Sequence, residues 1–268
     1  MRIFAIKNEY ENINEEVAYL LYYEKEKTFF IEIKEDIDPL KLPYICYHFR
    51  MKNEYTVNSY WSKEWVNERI VPRDRQNIGM ILNESGLDEY DEFSLLLQMN
   101  GRCSQDDFYI KEKKEIPEFI RERFEYKIEE VISLDKFNLL LFFRNGKVKK
   151  CDLSKFIFKN NKVNFLITNI ELFNSMNLVC GGFGINFANN IFIQDKELYD
   201  LGGDIPLSKN DFKKIISFSI VNTKEACEIL DCSRQNIDDL IKRGKINPVK
   251  EFDKNKLFLK SDIIKRNW

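Results

Sequence analysis

Residues 221–268 read VNTKEACEIL DCSRQNIDDL IKRGKINPVK EFDKNKLFLK SDIIKRNW, and this stretch decides how the chain is organised. Thr223 or Asn222 can cap a first short helix whose inward face is Ala226, Ile229 and Leu230. Asp231-Cys232 then makes a tight turn. Ser233 suits the cap of a second helix, with Ile237, Leu240 and Ile241 on its buried side. Gly244 follows Lys242-Arg243, where a left-handed residue closes a helix and basic side chains meet its negative end. Two short helices joined by such a turn make a helix-turn-helix.

The segment after Gly244 continues the pattern. Residues 249–252 and 257–259 read as two short strands around Asp253-Lys254-Asn255, and Ser261 is placed to cap a last helix through Ile263 and Ile264. This order resembles the winged helix-turn-helix of the MerR and excisionase type. The pieces that carry the resemblance are Glu225-Ala226-Cys227-Glu228-Ile229-Leu230, Ser233-Arg234-Gln235-Asn236-Ile237 and Ile241-Lys242-Arg243-Gly244-Lys245-Ile246. They cover the last fifth of the chain and imply a fold more specifically than they imply a ligand.

Under that resemblance, Ser233, Arg234, Gln235 and Asn236 stand at the start of a recognition helix. Arg matches guanine edges and Gln or Asn matches adenine edges in bidentate fashion, while a helix N-terminus favours a phosphate. Lys242, Arg243, Lys245, Lys254 and Lys256 then become phosphate contacts around the helix end and wing. Eleven Lys and Arg against eight Asp and Glu leave the segment at +3. Asp238 and Asp239 argue for a second reading, a trihelical module used for protein contacts, because carboxylates repel phosphates.

Composition bounds the rest. A chain of 268 residues with 22 Phe, 12 Tyr and only 6 Pro and 10 Gly is expected to fold as two or three α+β domains. We divide it into residues 1–118, 119–206 and 218–268, the last being the winged helix-turn-helix. Net charge is −2, yet it is unevenly spread: 1–120 carries −8 and 121–220 carries +3. The acidic first part suggests either a surface for a protein partner or a solvated face. Six scattered cysteines without a Cys-x-x-Cys pair, and His48 as the one histidine, offer no zinc set and suggest buried thiols in a reducing compartment. With no leader-like or membrane-spanning run in these residues, the expectation is a cytoplasmic protein without membrane contact, metal or cofactor.

In the first part, residues 2–6, 17–23 and 28–33 read as strands, the latter two as a hairpin across Glu24-Lys25-Glu26-Lys27. Asp38-Pro39 opens a helix ending near Phe49, a helical pattern runs from Ser62, Pro72 starts a helix through Asn83, and Asp91 starts another closed by Asn100-Gly101. Arg69, Arg73 and Arg75, with Gln76 and Asn77, could form a phosphate site at the Pro72 helix start. Asp106-Asp107, beside Arg102 and Gln105, could hold a divalent cation. Local ion pairs are the simpler reading, since adjacent carboxylates on a strand face opposite ways. His48 lacks a nucleophile pattern, so no catalytic residue is assigned.

In the middle part, Ile116-Pro117 marks a boundary, followed by a short charged stretch from Arg121. Residues 129–134 and 138–143 read as strands, and Asn145-Gly146 turns the second into 148–153. With Asp152-Leu153, Leu166-Ile167-Thr168-Asn169, Leu172-Phe173 and Leu198-Tyr199, this succession resembles the small bacterial family called domain of unknown function 2442. That family usually shows a Trp and a Gly-Asp where this chain has Phe187 and Asn189-Asn190. Its members often stand beside helix-turn-helix segments or toxin–antitoxin pairs. Gly181-Gly182-Phe183-Gly184 lacks the Lys-Ser/Thr of a phosphate loop and reads as a glycine-rich strand or bulge.

These features together suggest a bacterial regulator that binds double-stranded DNA. An antitoxin-like, autoregulatory version would use the acidic part to mask a basic partner, and operator symmetry suggests a homodimer. The alternatives are a protein-interaction factor and, less well supported, an enzyme using Arg73, Arg75, Asp106 and Asp107.

Overall fold

The computed structural model describes residues 1–9, 15–134, 136–156, 163–189, 191–253 and 255–267. Its first sheet is built from β1 (Arg2–Asn8), β2 (Glu16–Tyr23) and β3 (Thr28–Ile33), three runs rich in aromatic and branched residues. After α1 (Tyr44–Arg50) come β4 (Thr56–Val57), α2 (Ser59–Asn67), α3 (Ile78–Glu84), α4 (Glu92–Gln98) and β5 (Phe108–Lys113). The strands form an antiparallel sheet in the order β4-β3-β2-β1-β5. Side chains alternate across it, and both sides are covered. Phe4, Ile6, Leu20, Tyr22, Phe29 and Ile31 pack under α1, α2 and α4 on one face. Ile3, Ala5, Tyr19, Leu21 and Phe30 meet Ile120, Phe124 and Phe183 on the other. Burial on both faces explains why β2 reads as one continuous apolar run rather than an alternation.

Ile120 and Phe124 come from α5 (Glu118–Phe124), a helix where only a charged stretch was expected. Beyond it lie β6 (Ile128–Leu134), β7 (Asn138–Phe143), β8 (Val148–Asp152), α6 (Ile170–Asn174), β9 (Asn177–Leu178), β10 (Gly184–Phe187) and β11 (Ile191–Gln194). They are followed by α7 (Asp195–Leu201), β12 (Gly203–Ile205) and α8 (Lys209–Ser219). One face of the sheet β12-β8-β7-β6 packs against the sheet β11-β10-β9 and α6 and α7 through Leu139, Leu141, Phe143, Phe173, Ile185 and Leu198. The other face, Leu140, Phe142 and Val148, receives Phe212 of α8, whose ring meets Phe142 edge-on at 5.2 Å. A reciprocal Ser208–Asp211 capping box starts α8, which then runs into the C-terminal module.

The glycine-rich run 181–184 acquires a packing role. Gly181 and Gly182 have φ of 71° and 79°, and a Cβ on Gly182 would lie 2.1 Å from the Ile128 carbonyl oxygen. Only glycine lets this turn sit so close to β6. The turn drives Phe183 onto Phe30, ring against ring at 3.9 Å and 11°, and so joins the middle sheets to the first sheet.

Three local expectations are corrected. The helix expected from Asp38-Pro39 to Phe49 is a single 3-10 turn, Pro39–Lys41, and then α1; Pro43 between them forces Leu42 into extended geometry. Pro72 does not begin a helix. The Arg75 amide closes one turn on the Pro72 carbonyl at 3.2 Å, and α3 starts only at Ile78, because 72–77 holds nothing apolar after the proline to bury. The phosphate site expected there therefore does not form. Arg69 is buried with its guanidinium 3.8 Å over Trp65 and paired to Asp106, and Arg73 lies over Tyr90. Asp106 also accepts from the Phe108 amide, a local ion pair and turn rather than a cation site. Third, Leu259 rather than Ser261 precedes the last helix.

Among the described residues no helix is long and apolar enough to cross a membrane, and no group of three or more His, Cys, Asp and Glu could hold a metal ion.

Candidate nucleic-acid interface

The C-terminal module is β13 (Ile220–Asn222), α9 (Thr223–Leu230), α10 (Arg234–Lys242), β14 (Lys250–Phe252), β15 (Asn255–Leu259) and α11 (Lys260–Ile264). Asn222 is the cap of α9. Its side-chain oxygen accepts from the Lys224 and Glu225 amides at 2.8 and 3.0 Å, and Glu225 Oε2 accepts from the Asn222 amide at 2.8 Å. Asp231 then turns left-handed at φ 46°, which lets the Cys232 amide donate to the Cys227 carbonyl at 3.0 Å. The Ser233 hydroxyl oxygen accepts from the Asn236 amide at 3.3 Å and starts α10. At the other end Gly244, with φ 64°, allows its own amide and that of Lys245 to reach the Ile241 and Leu240 carbonyls, both at 2.8 Å.

Those turns fix how the helices cross, and a small core holds them. Val221, Ala226, Ile237, Ile246, Phe258 and Ile263 are buried together, with Ile229, Leu230, Leu240 and Ile241 packed around them. The strands pair in the order β13-β15-β14, so β14 and β15 form a hairpin wing anchored by Phe258.

Burying Ile237, Leu240 and Ile241 turns the rest of α10 outward. Ser233, Arg234, Gln235 and Asn236 are all exposed at its N-terminal end. Among the described residues, no ion pair or side-chain hydrogen bond ties down Arg234 or Gln235. Lys242, Arg243 and Lys245 are exposed at the opposite end, roughly 12 Å along the axis for a helix of this length. The expected residues thus form two clusters at the ends of one helix.

Lys256 stands apart from both. It donates to Asp238 Oδ1 at 2.9 Å and lies 3.7 Å from Glu251 Oε1, which braces the wing against α10. That hydrogen bond holds the Asp238 carboxyl below the usual carboxylate range and the Lys256 ammonium above its ordinary value. Asp238 is accordingly a neutralised strut. Asp239 is not: it follows Gln235 and precedes Lys242 on the outermost side of the helix, at i, i+4 and i+7. Lys254 lies outside the described residues.

Two basic residues not singled out in the sequence join the C-terminal cluster. Lys265 and Arg266, after α11, line a shallow concavity of about 430 Å³ together with Gly244, Lys245, Asn247 and Asp262. The signal for them in the sequence is their position directly after Ile263 and Ile264, at the end of the last helix. Val249 and Phe252 of the wing are exposed apolar side chains.

A family model described as a helix-turn-helix domain matches residues 220–266. Neither a curated protein nor a solved structure matches the chain. The match begins at the first residue of β13 and ends just past α11, and the chain therefore carries a C-terminal helix-turn-helix domain.

Proposed function

We propose that the protein is a bacterial, cytoplasmic transcriptional regulator that binds double-stranded DNA through this domain. The observation that carries the reading is the set Ser233 to Asn236, exposed and unencumbered at the N-terminus of α10 on a helix-turn-helix frame. In this reading Arg234, Gln235 and Asn236 meet base edges in the major groove, and the amides at the start of α10 meet a phosphate. Arg243, Lys245, Lys265 and Arg266 lie along the backbone at the other end. The Asp238–Lys256 pair bears on it evenly, because it engages one carboxylate together with one of the lysines expected to meet phosphates. The parts before α8 then supply partner binding or dimerisation. The acidic charge of residues 1–120 and the resemblance of the middle part to domain of unknown function 2442 favour an antitoxin-like, autoregulatory form.

A second reading, a module for protein contacts, draws on Asp239 at the centre of the exposed helix face and on the bare Phe252 and Val249 of the wing. A gel-shift of the full chain against its own promoter region separates the two. Arg234→Ala and Gln235→Ala should each weaken specific binding by about 1–3 kcal/mol. Binding that never exceeds that to an unrelated duplex, or that ignores both substitutions, refutes the DNA reading.

A further inference from the structure

A buried charge cluster lies where α5 and α7 meet the first sheet. Glu32 of β3 is fully buried; its Oε2 accepts from Arg123 Nη1 at 2.7 Å and its Oε1 from the Thr56 hydroxyl at 3.0 Å. The second terminal nitrogen of Arg123 donates to Glu35 at 3.0 Å. Lys127, also buried, donates to Asp195 Oδ2 at 3.0 Å and sits 3.9 Å from Glu32 Oε1. Both cations are thus already committed to carboxylates.

One acceptor in the cluster is not satisfied. Asp195 is 3% exposed, and its Oδ1 has no hydrogen-bond partner of good geometry. The Lys196 amide at the start of α7 exerts only a weak pull on the carboxyl, and burial outweighs both it and Lys127, pushing the Asp195 pKa up. A buried acceptor left bare is costly, by about 1–3 kcal/mol or more for a charged group, so a donor that reached it would gain a comparable amount.

Asp195 also lines a cleft of about 430 Å³, within the size range of small-molecule sites. Its wall carries the carboxylates Glu35, Glu54, Asp195 and Asp200 against Arg123, Lys127 and Lys196. At the rim Tyr126 is half-exposed and touches Tyr199 edge-on at 5.1 Å, leaving ring surface open.

We propose that this cleft binds a small organic cation in which an N–H donor stands next to a flat apolar group. The N–H donates to Asp195 Oδ1, and the flat group lies against Tyr126. An anion fits less well, because Arg123 and Lys127 are held by their present partners, which leaves it Lys196 alone against the remaining carboxylates Glu54 and Asp200. A neutral apolar molecule would leave Asp195 Oδ1, already closed to water, still without a donor. The site lies outside the helix-turn-helix domain, so its fate does not depend on whether that domain binds DNA.

The test is calorimetric titration of the full chain with benzylammonium and with benzoate, which share a ring and differ in charge. Benzylammonium is expected to bind saturably and at least about ten-fold more tightly than benzoate, the worth of one charge-assisted hydrogen bond. Asp195→Asn should weaken it about ten-fold. Tyr126→Ala, which removes a half-exposed ring, should weaken it about three-fold through the lost cation–π and stacking contact. If Asp195→Asn fails to fold, Tyr126→Ala and the benzoate arm still decide. Absence of saturable benzylammonium binding, equal affinity for the two probes, or affinity unchanged in the folded variants overturns the proposal.

Discussion

Two of the charge clusters among the described residues, both built from basic and carboxylate side chains, do opposite work. In the seam beneath α5, Glu32, Lys127 and Asp195 are buried and tie together segments more than 150 residues apart in the chain. In the helix-turn-helix, Lys256 and Asp238 are solvent-exposed to partly exposed and brace a wing against a helix only 18 residues away. Burial makes the first cluster a specification of how the body fits together, since removing one partner strands a charge in a dry place. Exposure makes the second a weak brace whose main effect is on the charged surface that α10 presents. The difference teaches that buried charge in the body bears on how its parts fit together, while exposed charge in the module shapes the surface it presents.

Breaking the buried side of that comparison should give the largest effect. Glu32→Gln, which leaves Arg123 and Lys127 short of a carboxylate, is expected to destabilise the chain by about 3–5 kcal/mol in urea unfolding. Ile237→Ala should cost about 2–5 kcal/mol, at the expense of the small C-terminal core; native-state hydrogen exchange should show protection lost in α9 and α10 first while β1 to β3 stay protected. Asn222→Ala removes the side-chain oxygen that accepts from the Lys224 and Glu225 amides at the start of α9 and should cost about 1 kcal/mol, read in the same exchange experiment.

The smallest effect sharpens the exposed side. A carboxyl whose folded pKa lies below its unfolded value contributes stability above that unfolded value, and loses the contribution as pH falls through the folded pKa. The Asp238–Lys256 brace should therefore be intact at neutral pH, loosening in acid below the ordinary carboxylate range and in base once Lys256 loses its proton above the ordinary lysine range. Side-chain NMR shifts of Asp238 and Lys256 titrating together would show it. Independent titration of the two would mean that the brace does not persist in solution.

Legibility followed the same division. The helix-turn-helix could be read because its determinants are local: Ser233 before Ile237, Leu240 and Ile241, then Gly244 at the helix end, are all within one turn or two of what they control. Asn145-Gly146 and the aromatic runs of β2 and β3 were readable for the same reason. Its α10 ends were in view, but Lys265 and Arg266 were not, because only the packing of α11 brings them beside Lys245. The helix α5 escaped because its two buried residues, Ile120 and Phe124, are spaced among four charged ones and find their partners in a distant sheet. Pro72 suits a helix start by its fixed φ and missing N–H, but Arg73 to Asn77 offer nothing apolar to bury, and the chain makes one turn there before α3. The cluster around Glu32 was invisible in the chain: nothing local links β3, α5 and Asp195. Phe183, whose ring joins the sheets, was hidden inside a glycine-rich run that invites attention for its backbone rather than for its one aromatic side chain.

The central claim is that α10 and the basic residues at its far end form one DNA-binding face. Its most direct test is fluorescence anisotropy of the full chain with a labelled duplex from its own promoter at stepped salt, compared with the Lys245→Ala/Arg266→Ala variant. The account predicts that log affinity falls linearly with log salt, and that losing two phosphate contacts makes the slope shallower by about 2. A slope near zero in the parent protein, or one unchanged in the double variant, would contradict it.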